Sequence, residues 1–358
     1  KKKGRWVYFN LPSNIFDLRE SQAEDFESLL QGMVDFLHLP AQGKLLPYLD
    51  IDSAAIIFED VEHQYETLND FIDLALKYNM PMTTYQVAEK AKEKPEILER
   101  SRLSPLIEVG SHSYTHGPIV TRPKDVLEHE IADSKTFLDN SLSPVTGYRP
   151  PREEMDEEML QVIIDAGYGY VFGGIVETLY PQMLENEFIQ IPRLGSDDYE
   201  FFIKSKMSPG EILHTAVKEE KMARLLNGVY TLGVHTQMMT QPDRIYILDA
   251  ILNKIAANPK ANVITAEDMV SRVRKARQIE TQLISDGHTH QITITNNNRT
   301  AIRRLAYRLY WQGGEKPSNI SANGTNHEVF ATHYTTQKFS DIYLWDLAAG
   351  DSLTIMAK

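Results

Sequence analysis

The sequence contains no cysteine, and this absence excludes two kinds of structure. Disulfide bridges cannot form, and metal sites built on thiolates are ruled out. A chain without cysteine is compatible with either redox compartment, so its composition does not place the protein inside or outside the cell. Eleven histidines remain as candidate metal ligands and catalytic groups.

The sequence also lacks long apolar runs and an excess of basic residues. No run approaches the roughly 18–20 apolar residues that span a membrane, so no transmembrane segment is predicted. Acidic side chains outnumber basic ones by 50 to 37, which gives a net charge of −13. Because nucleic acids bind to basic surfaces, a nucleic acid is not an expected partner. The 358 residues, 42% of them hydrophobic, suffice for one large globular domain and a small one.

Runs typical of strands alternate with runs typical of helices from about residue 53 to residue 283. An apolar strand at 54–58 precedes a helix at 68–78, and the last helix of the series is predicted at 266–283. Repeated βα units form a parallel sheet covered by helices, and the usual closed form is a barrel with its active site at the carboxyl ends of the strands. The sequence therefore predicts an α/β domain with a barrel sheet over residues 49–284.

The two ends of the chain have a different character. In residues 287–358, short alternating runs are separated by Asn, Gly and Ser turns, which is typical of all-β structure. This region is predicted to form a small appended β-sandwich. Residues 1–48 are expected to be an N-terminal segment, the tail of an upstream domain, with one strand at 5–10 and one helix at 25–37.

Three aromatic residues of the predicted β domain, Tyr307, Tyr310 and Trp311, allow two interpretations. They can form a stacking surface for sugar rings, or they can belong to the core of the domain. The domain is expected to bind substrate or a partner and to supply no catalytic group.

The stretch GSHSYTHG at 110–117 holds two histidines four residues apart, directly after a predicted strand. On the first turn of a helix, His112 and His116 would lie on one face and could converge on one ion. The strand at 54–58 runs into the acidic stretch EDVE at 59–62, so an oxygen ligand is available at a neighbouring strand end. The spacing therefore indicates a metal site.

Four short motifs occur in order, each beside a predicted strand end: FEDV at 58–61, HSYTH at 112–116, YRPPR at 148–152 and LGVH at 232–235. With this set, the chain resembles the polysaccharide deacetylases of carbohydrate esterase family four over roughly residues 50–280. The resemblance implies a distorted (β/α) barrel and a metal-dependent hydrolase that removes N-acetyl groups from an N-acetylated polysaccharide and releases acetate. It also implies a bacterial protein that is secreted or periplasmic.

The resemblance further implies which residues hold the metal. Asp60, His112 and His116 match the family's ligands for a divalent ion, most often zinc. Such a set leaves open positions for water and substrate, which is what distinguishes a catalytic zinc from a structural one.

The catalytic roles are carried over in the same way. Glu59 matches the general base, Arg149 matches the arginine that holds the base's carboxylate and keeps it ionised, and His235 matches the histidine that donates a proton to the leaving amine. Glu59 departs from the family, which has an aspartate there, but a longer side chain can serve if its reach and pKa suit the reaction. The family has a further motif that supplies an acid and an aromatic residue near this histidine, and the candidates for it here are Arg193, and Asp197 or Asp198 after it.

A second register of the first motif is also open. In it Asp60 is the base and Glu62 is the oxygen ligand. The first register, with Glu59 as base and Asp60 as ligand, is favoured because Phe58 then keeps the family's position just before the pair.

Three functions compete on the sequence alone. The first is the N-deacetylase, and the second is a hydrolase of another carbon–nitrogen amide bond on the same fold. The third is a carbohydrate-binding relative without activity, in which Glu59 marks a lost site. Retention of Arg149 and His235 beside the metal ligands favours an enzyme.

Overall fold

The computed structural model describes residues 43–45, 51, 53–141, 144–174, 180–184, 187–225, 228–285, 289–311, 316–323, 329–335 and 339–358. The strand predicted at 5–10 and the helix predicted at 25–37 lie outside these residues. The described residues fall into two compact units: one comprises residues 53–270, and the other comprises the described residues before 53 and after 270.

The sheet of the unit at 53–270 has eight strands. Numbering in chain order starts with β1 (Gly43–Leu45) of the other unit, and the eight strands are β2 (Ala54–Val61), β3 (Met82–Gln86), β4 (Ile107–Ser111), β5 (Gly147–Tyr148), β6 (Tyr170–Phe172), β7 (Gln182–Met183), β8 (Ile189–Ile191) and β9 (Val229–His235). Their order across the sheet is β7-β8-β6-β5-β4-β3-β2-β9. All neighbours are parallel except β7 and β8. The barrel expected from the sequence is thus a curled half-barrel, with β7 and β9 at its edges.

Helices connect the strands of this unit, as the alternating pattern predicts. They are α1 (Leu68–Tyr78), α2 (Ala88–Glu93), α3 (Pro95–Leu103), α4 (Lys124–Glu128), α5 (Ser134–Ser141), α6 (Glu157–Asp165), α7 (Pro209–Leu225), α8 (Ile245–Ala256) and α9 (Ala266–Arg277). A π-helical turn, His129–Asp133, joins α4 to α5 in one continuous segment. Among the described residues, no helix is long and apolar enough to cross a bilayer.

Parallel pairing brings the polar strand ends of the sheet together. The register of β2 against β9 sets Phe58 opposite Gly233 and Asp60 opposite His235. A side chain at 233 would meet the ring of Phe58 at 2.6 Å, so the close approach of the two strands requires glycine there. The carboxyl ends of β2, β4, β5 and β9 therefore lie together at one end of the sheet.

The other unit consists mainly of two antiparallel sheets, ordered β1-β12-β15-β14 and β10-β11-β16-β13. Its remaining strands are β10 (Ile279–Ser285), β11 (His290–Asn296), β12 (Ile302–Tyr310), β13 (Ile320–Asn323), β14 (Val329–Tyr334), β15 (Phe339–Leu347) and β16 (Ser352–Ala357). Apolar side chains from both sheets share one buried cluster, which includes Ile294, Leu305 and Ile355. The short alternating runs of the sequence thus become strands.

Two expectations for this unit need correction. The helix predicted at 266–283 ends at Arg277, because residues from Ile279 onward pair with β11 over seven positions and this pairing overrides the local helical periodicity. The stacking surface is wrong for Tyr307 and Trp311, which are 1% and 4% exposed. Tyr307 lies in the apolar cluster, and the Trp311 indole donates a hydrogen bond to the Ser340 hydroxyl at 3.0 Å. These two residues are core.

Candidate metal and catalytic centre

Two histidines and one carboxylate converge at the end of the sheet where the carboxyl ends of these strands lie. Glu62 follows β2 directly, and its Oε1 lies 3.0 Å from Nε2 of His116 and 3.4 Å from Nε2 of His112. The three ligand-capable atoms lie within 4.8 Å of one another. One ion could therefore contact all three.

The orientation of His112 is fixed by the backbone. Its Nδ1 lies 2.8 Å from the carbonyl oxygen of Arg149. Because a carbonyl oxygen only accepts, Nδ1 must carry the proton, and the lone pair is on Nε2. The buried Nε2 atoms of His112 and His116 make no well-formed hydrogen bond within the described part of the chain. Buried imidazole nitrogens that face a carboxylate without such a bond fit a divalent cation.

The two histidines do not lie on a helical turn, which corrects the basis of the spacing argument. His112 directly follows β4, and the residues up to Gly117 form a loop. Ser113 and His116 adopt left-handed backbone conformations, with φ of 68° and 63°. The amide of His116 donates to the Ser113 hydroxyl at 3.0 Å. This loop, and no helix, brings the ring centroids to 4.9 Å from each other.

Asp60 lies beside this group and is held by Arg149. The Arg149 Nε donates to both carboxylate oxygens of Asp60, at 2.7 and 2.8 Å, and both side chains are buried. Burial alone would raise the pKa of Asp60, but the charge of Arg149 is the main influence that outweighs burial and lowers the pKa. Asp60 is therefore an ionised, oriented carboxylate.

His235 faces the same group from β9. Its Nε2 lies 3.6 Å from Oδ2 of Asp60 and 3.8 Å from Oε1 of Glu62. Its Nδ1 donates to Oδ1 of Asp198 at 2.5 Å, and the other oxygen of Asp198 accepts from the amides of His235 and Met239. Burial would lower the pKa of His235, but the charge and hydrogen bond of Asp198 raise it to about 10. Among Arg193, Asp197 and Asp198, it is therefore Asp198 that contacts His235.

Glu59 is not brought into this group. Side chains alternate along a strand, so Glu59 points to the opposite face of β2 from Asp60. Its Oε1 accepts a hydrogen bond from the Thr240 hydroxyl at 2.8 Å. Burial raises the pKa of Glu59 well above its ordinary value, which favours the protonated form. The structure thus brings together the carboxylates of the second register, Asp60 and Glu62.

The first comparison with known proteins concerns the sequence. Residues 49–171 match the family model described as polysaccharide deacetylase. This stretch includes Asp60, Glu62, the two histidines of the loop and Arg149. The match ends within β6 and covers the first part of the unit at 53–270. No protein of curated function matches the chain.

Solved structures share the fold of the unit at 53–270. A protein of Mycobacterium smegmatis assigned to the polysaccharide deacetylases has a TM-score of 0.55 at 16% identity, over 65% of this chain and 96% of its own. A protein of Pseudomonas aeruginosa PAO1 with the same assignment has a TM-score of 0.57 at 14% identity, over 62% and 91%. The Puue allantoinase has a TM-score of 0.56 at 12% identity, over 62% and 90%. At these identities the likeness concerns the fold.

The guanidinium of Arg149 also pairs with a second carboxylate, that of Glu153. Its Nη1 lies 2.9 Å from Oε1 of Glu153, and that carboxylate also pairs with Arg193, which in turn lies 3.3 Å from Asp197. Arg149 is thus fixed between two carboxylates.

Proposed function

We propose that this chain is a metal-dependent hydrolase that removes N-acetyl groups from an N-acetylated polysaccharide and releases acetate. The observation that carries the proposal is that two neighbouring carboxylates have different partners. Arg149 binds Asp60, whereas His112 and His116 converge on Glu62. A base that is held apart from the metal ligands suits hydrolysis with an activated water molecule.

Glu62, His112 and His116 would hold the ion. Two imidazole nitrogens and one carboxylate oxygen are a donor set typical of catalytic zinc, so zinc is the metal that we propose. When bound, the ion would act as a Lewis acid towards the amide carbonyl and would lower the pKa of the attacking water molecule.

Asp60 is the proposed general base, in place of Glu59. Arg149 orients its carboxylate and keeps it ionised, so it can accept the proton of the water molecule that attacks the carbonyl carbon. Glu59 cannot take this role easily, because it points to the other face of the strand and its burial favours the protonated form. A positioned general base contributes about 10²–10⁴-fold to a rate.

His235 is the proposed general acid. Asp198 fixes Nδ1–H, so the proton of Nε2 points towards the cluster. Because the pKa of His235 is raised to about 10, the imidazole is protonated at neutral pH. As the carbon–nitrogen bond breaks, Nε2 gives its proton to the nitrogen, and the products are acetate and a free amine.

The same residues would also hydrolyse another amide bond, and an allantoinase shares the fold. We favour a glycan because residues 49–171 match the polysaccharide deacetylases. In this proposal the protein acts on cell-wall or exported polysaccharide, in a secreted or periplasmic setting.

Acetate release from N-acetylhexosamine oligomers by the zinc-loaded protein tests the proposal. The expected result is stoichiometric zinc and acetate release that a chelator abolishes and zinc restores. Release of ammonia or ring opening of small cyclic amides, without acetate from any oligomer, would favour the second function. Bound zinc with no turnover of either class would favour a binding protein.

We also propose that the two antiparallel sheets of the other unit pack as a β-sandwich that binds substrate or a partner without taking part in the chemistry. All residues of the proposed site lie between residues 53 and 270. The shared apolar cluster of the two sheets supports this packing.

A further inference from the structure

The loop that carries the two histidines has a costly backbone conformation. Ser113 and His116 both have positive φ, at 68° and 63°. For residues other than glycine, the left-handed region is strained, because Cβ comes close to the following carbonyl oxygen. Such conformations persist only where the surrounding structure holds them. The groups that hold this loop therefore determine where the histidine nitrogens lie.

One side of the loop is held by backbone alone. The amides of Ala88 and Glu89, at the start of α2, donate to the carbonyl oxygens of Ser113 and Tyr114, at 3.1 and 2.9 Å. These bonds use the loop's acceptors. The amide groups of the loop therefore need acceptors from another part of the protein.

On the other side of the loop, the side chain of Glu130 accepts the hydrogen bonds. Its Oε2 accepts from the amides of Tyr114 and Thr115, at 3.1 and 2.9 Å, and its Oε1 accepts from the Thr115 hydroxyl at 2.5 Å. The carboxylate is buried, with 5% of the residue exposed. Hydrogen bonds to a charged acceptor are roughly twice as strong as neutral ones. Glu130 thus binds the segment between His112 and His116 at three points.

The helix that carries Glu130 is irregular at this residue. Glu130 lies in the π-helical turn His129–Asp133, between the regular helices α4 and α5. A π-turn shifts the side chains around it relative to a regular helix, and such turns are frequent at functional sites. On the same segment Glu128 and Asp133 are exposed. The irregular turn coincides with the carboxylate that reaches the loop.

We propose that Glu130 is a positioning residue for the metal centre, which holds the loop so that the Nε2 atoms of His112 and His116 face Glu62. This inference rests on the metal site of the proposed function. Glu130 contacts neither the substrate nor the ion in this account, and it acts through the loop. Its loss should therefore weaken metal binding.

The test measures zinc affinity by chelator competition and the visible spectrum of the cobalt-substituted protein. We expect Glu130→Ala to lower zinc affinity about 10–100-fold, as loss of a group that orients ligands does, and to change the cobalt spectrum. Glu130→Gln should recover most of the affinity, because its amide oxygen can accept from both backbone amides and its amino group can donate to the Thr115 hydroxyl. Glu128→Ala is the matched control, since it makes the same change on the exposed side of the segment.

Thr115→Val provides a second variant that keeps the shape of the side chain. It removes one of the three hydrogen bonds to Glu130, together with the longer bond from the Gly117 amide to the Thr115 hydroxyl, and should lower zinc affinity at least about fivefold, the worth of one hydrogen bond. If Glu130→Ala does not fold, this variant decides, and unchanged affinity in Thr115→Val would overturn the inference.

The outcomes separate this inference from the proposed function. If the wild-type protein binds no zinc, the proposed function itself is contradicted. If the wild-type protein binds zinc and folded Glu130→Ala binds it as tightly as Glu128→Ala, with the same cobalt spectrum, Glu130 has no positioning role.

Discussion

The two faces of β2 carry neighbouring carboxylates with opposite behaviour. Glu59 and Asp60 are 0% and 1% exposed, so they are equally removed from water. Burial is the largest influence on both pKa values and raises both. On one face the charge of Arg149 reverses that effect for Asp60, and on the other face Thr240 offers Glu59 only a hydroxyl. The partner, and not the depth of burial, therefore decides which carboxylate is ionised.

Three acidic residues that are close in the sequence, Glu59, Asp60 and Glu62, have different contacts. Asp60 and Glu62 lie two positions apart and reach the same cluster, where Asp60 binds Arg149 and Glu62 faces the histidines. Glu59 points to the other face of β2, where it accepts a hydrogen bond from Thr240, which follows β9. The account predicts that changes on the Asp60 face alter metal binding and rate, and that changes on the Glu59 face alter stability.

The largest expected effect is the loss of the metal. Glu62→Gln should reduce bound zinc to well below stoichiometric amounts and abolish activity, because an amide oxygen is a poor replacement for a carboxylate ligand. Zinc content is measured after dialysis by elemental analysis. Glu66→Gln is the matched control: Glu66 forms only an exposed ion pair with Lys94, and its variant should retain zinc. Stoichiometric zinc in Glu62→Gln would refute the ligand assignment.

A second test makes Asp60 resemble Glu59 by removing its partner. In Arg149→Met, burial of Asp60 is no longer opposed by the guanidinium, so its pKa should rise. The acidic limb of the kcat/KM profile should then move to higher pH. Leaving one charge of a buried pair alone also costs about 3–5 kcal/mol of unfolding free energy at neutral pH, and this loss should shrink as the pH falls and Asp60 becomes protonated.

Arg308→Met is the control for that experiment. Arg308 pairs with Asp341 at 2.8 Å in the other unit, and both residues are buried. Its loss should also destabilise the protein but leave the pH profile of turnover unchanged. An acidic limb that does not move in Arg149→Met would contradict Asp60 as the base.

A third test concerns the general acid. In Asp198→Asn, the charge that raises the pKa of His235 to about 10 is removed, while the burial that lowers it remains. The pKa should fall, so the protonated form is lost at lower pH and the alkaline limb of the kcat profile should move down. Two backbone amides already donate to Oδ2 of Asp198, which favours an amide oxygen there and sets the amino group against Nδ1. An unchanged alkaline limb would remove His235 from the role of acid.

The smallest expected effect lies on the other face. Because the pKa of Glu59 is raised above its unfolded value near 4.5, the folded state holds the proton more tightly, and stability should fall as pH rises above that value. Glu59→Gln keeps an acceptor for Thr240 and removes the titration. We expect the variant to be at least as stable as the wild type at pH 8, with a flatter dependence of unfolding free energy on pH in denaturant titrations.

Much of the fold could be predicted because its central strands are buried on both faces. Such strands read as continuous apolar runs, as in residues 54–58. For the same reason, the register of the first motif could not be read from the sequence. With both faces of β2 apolar, no alternation in the sequence tells which side of the strand carries the site, so Glu59 and Asp60 could not be told apart.

Other features depend on contacts that are distant in the sequence. The strand at Ile279–Ser285 follows from pairing with β11, which overrides a helical pattern. Glu130 lies 15 residues from Thr115, in a helix with several acidic residues, and nothing in its spacing marks it. Asp198 was one of two adjacent aspartates, and the fold selects it by setting its carboxylate on His235.

The most direct test of the account compares kcat and zinc content in Asp60→Asn and Glu59→Gln. The account predicts that Asp60→Asn retains stoichiometric zinc and loses about 10²–10⁴ in kcat, the worth of a positioned general base, whereas Glu59→Gln retains both zinc and nearly full turnover. The contradicting result is the reverse: Glu59→Gln retains zinc and loses turnover, while Asp60→Asn loses zinc. That outcome would make Glu59 the base and Asp60 the ligand.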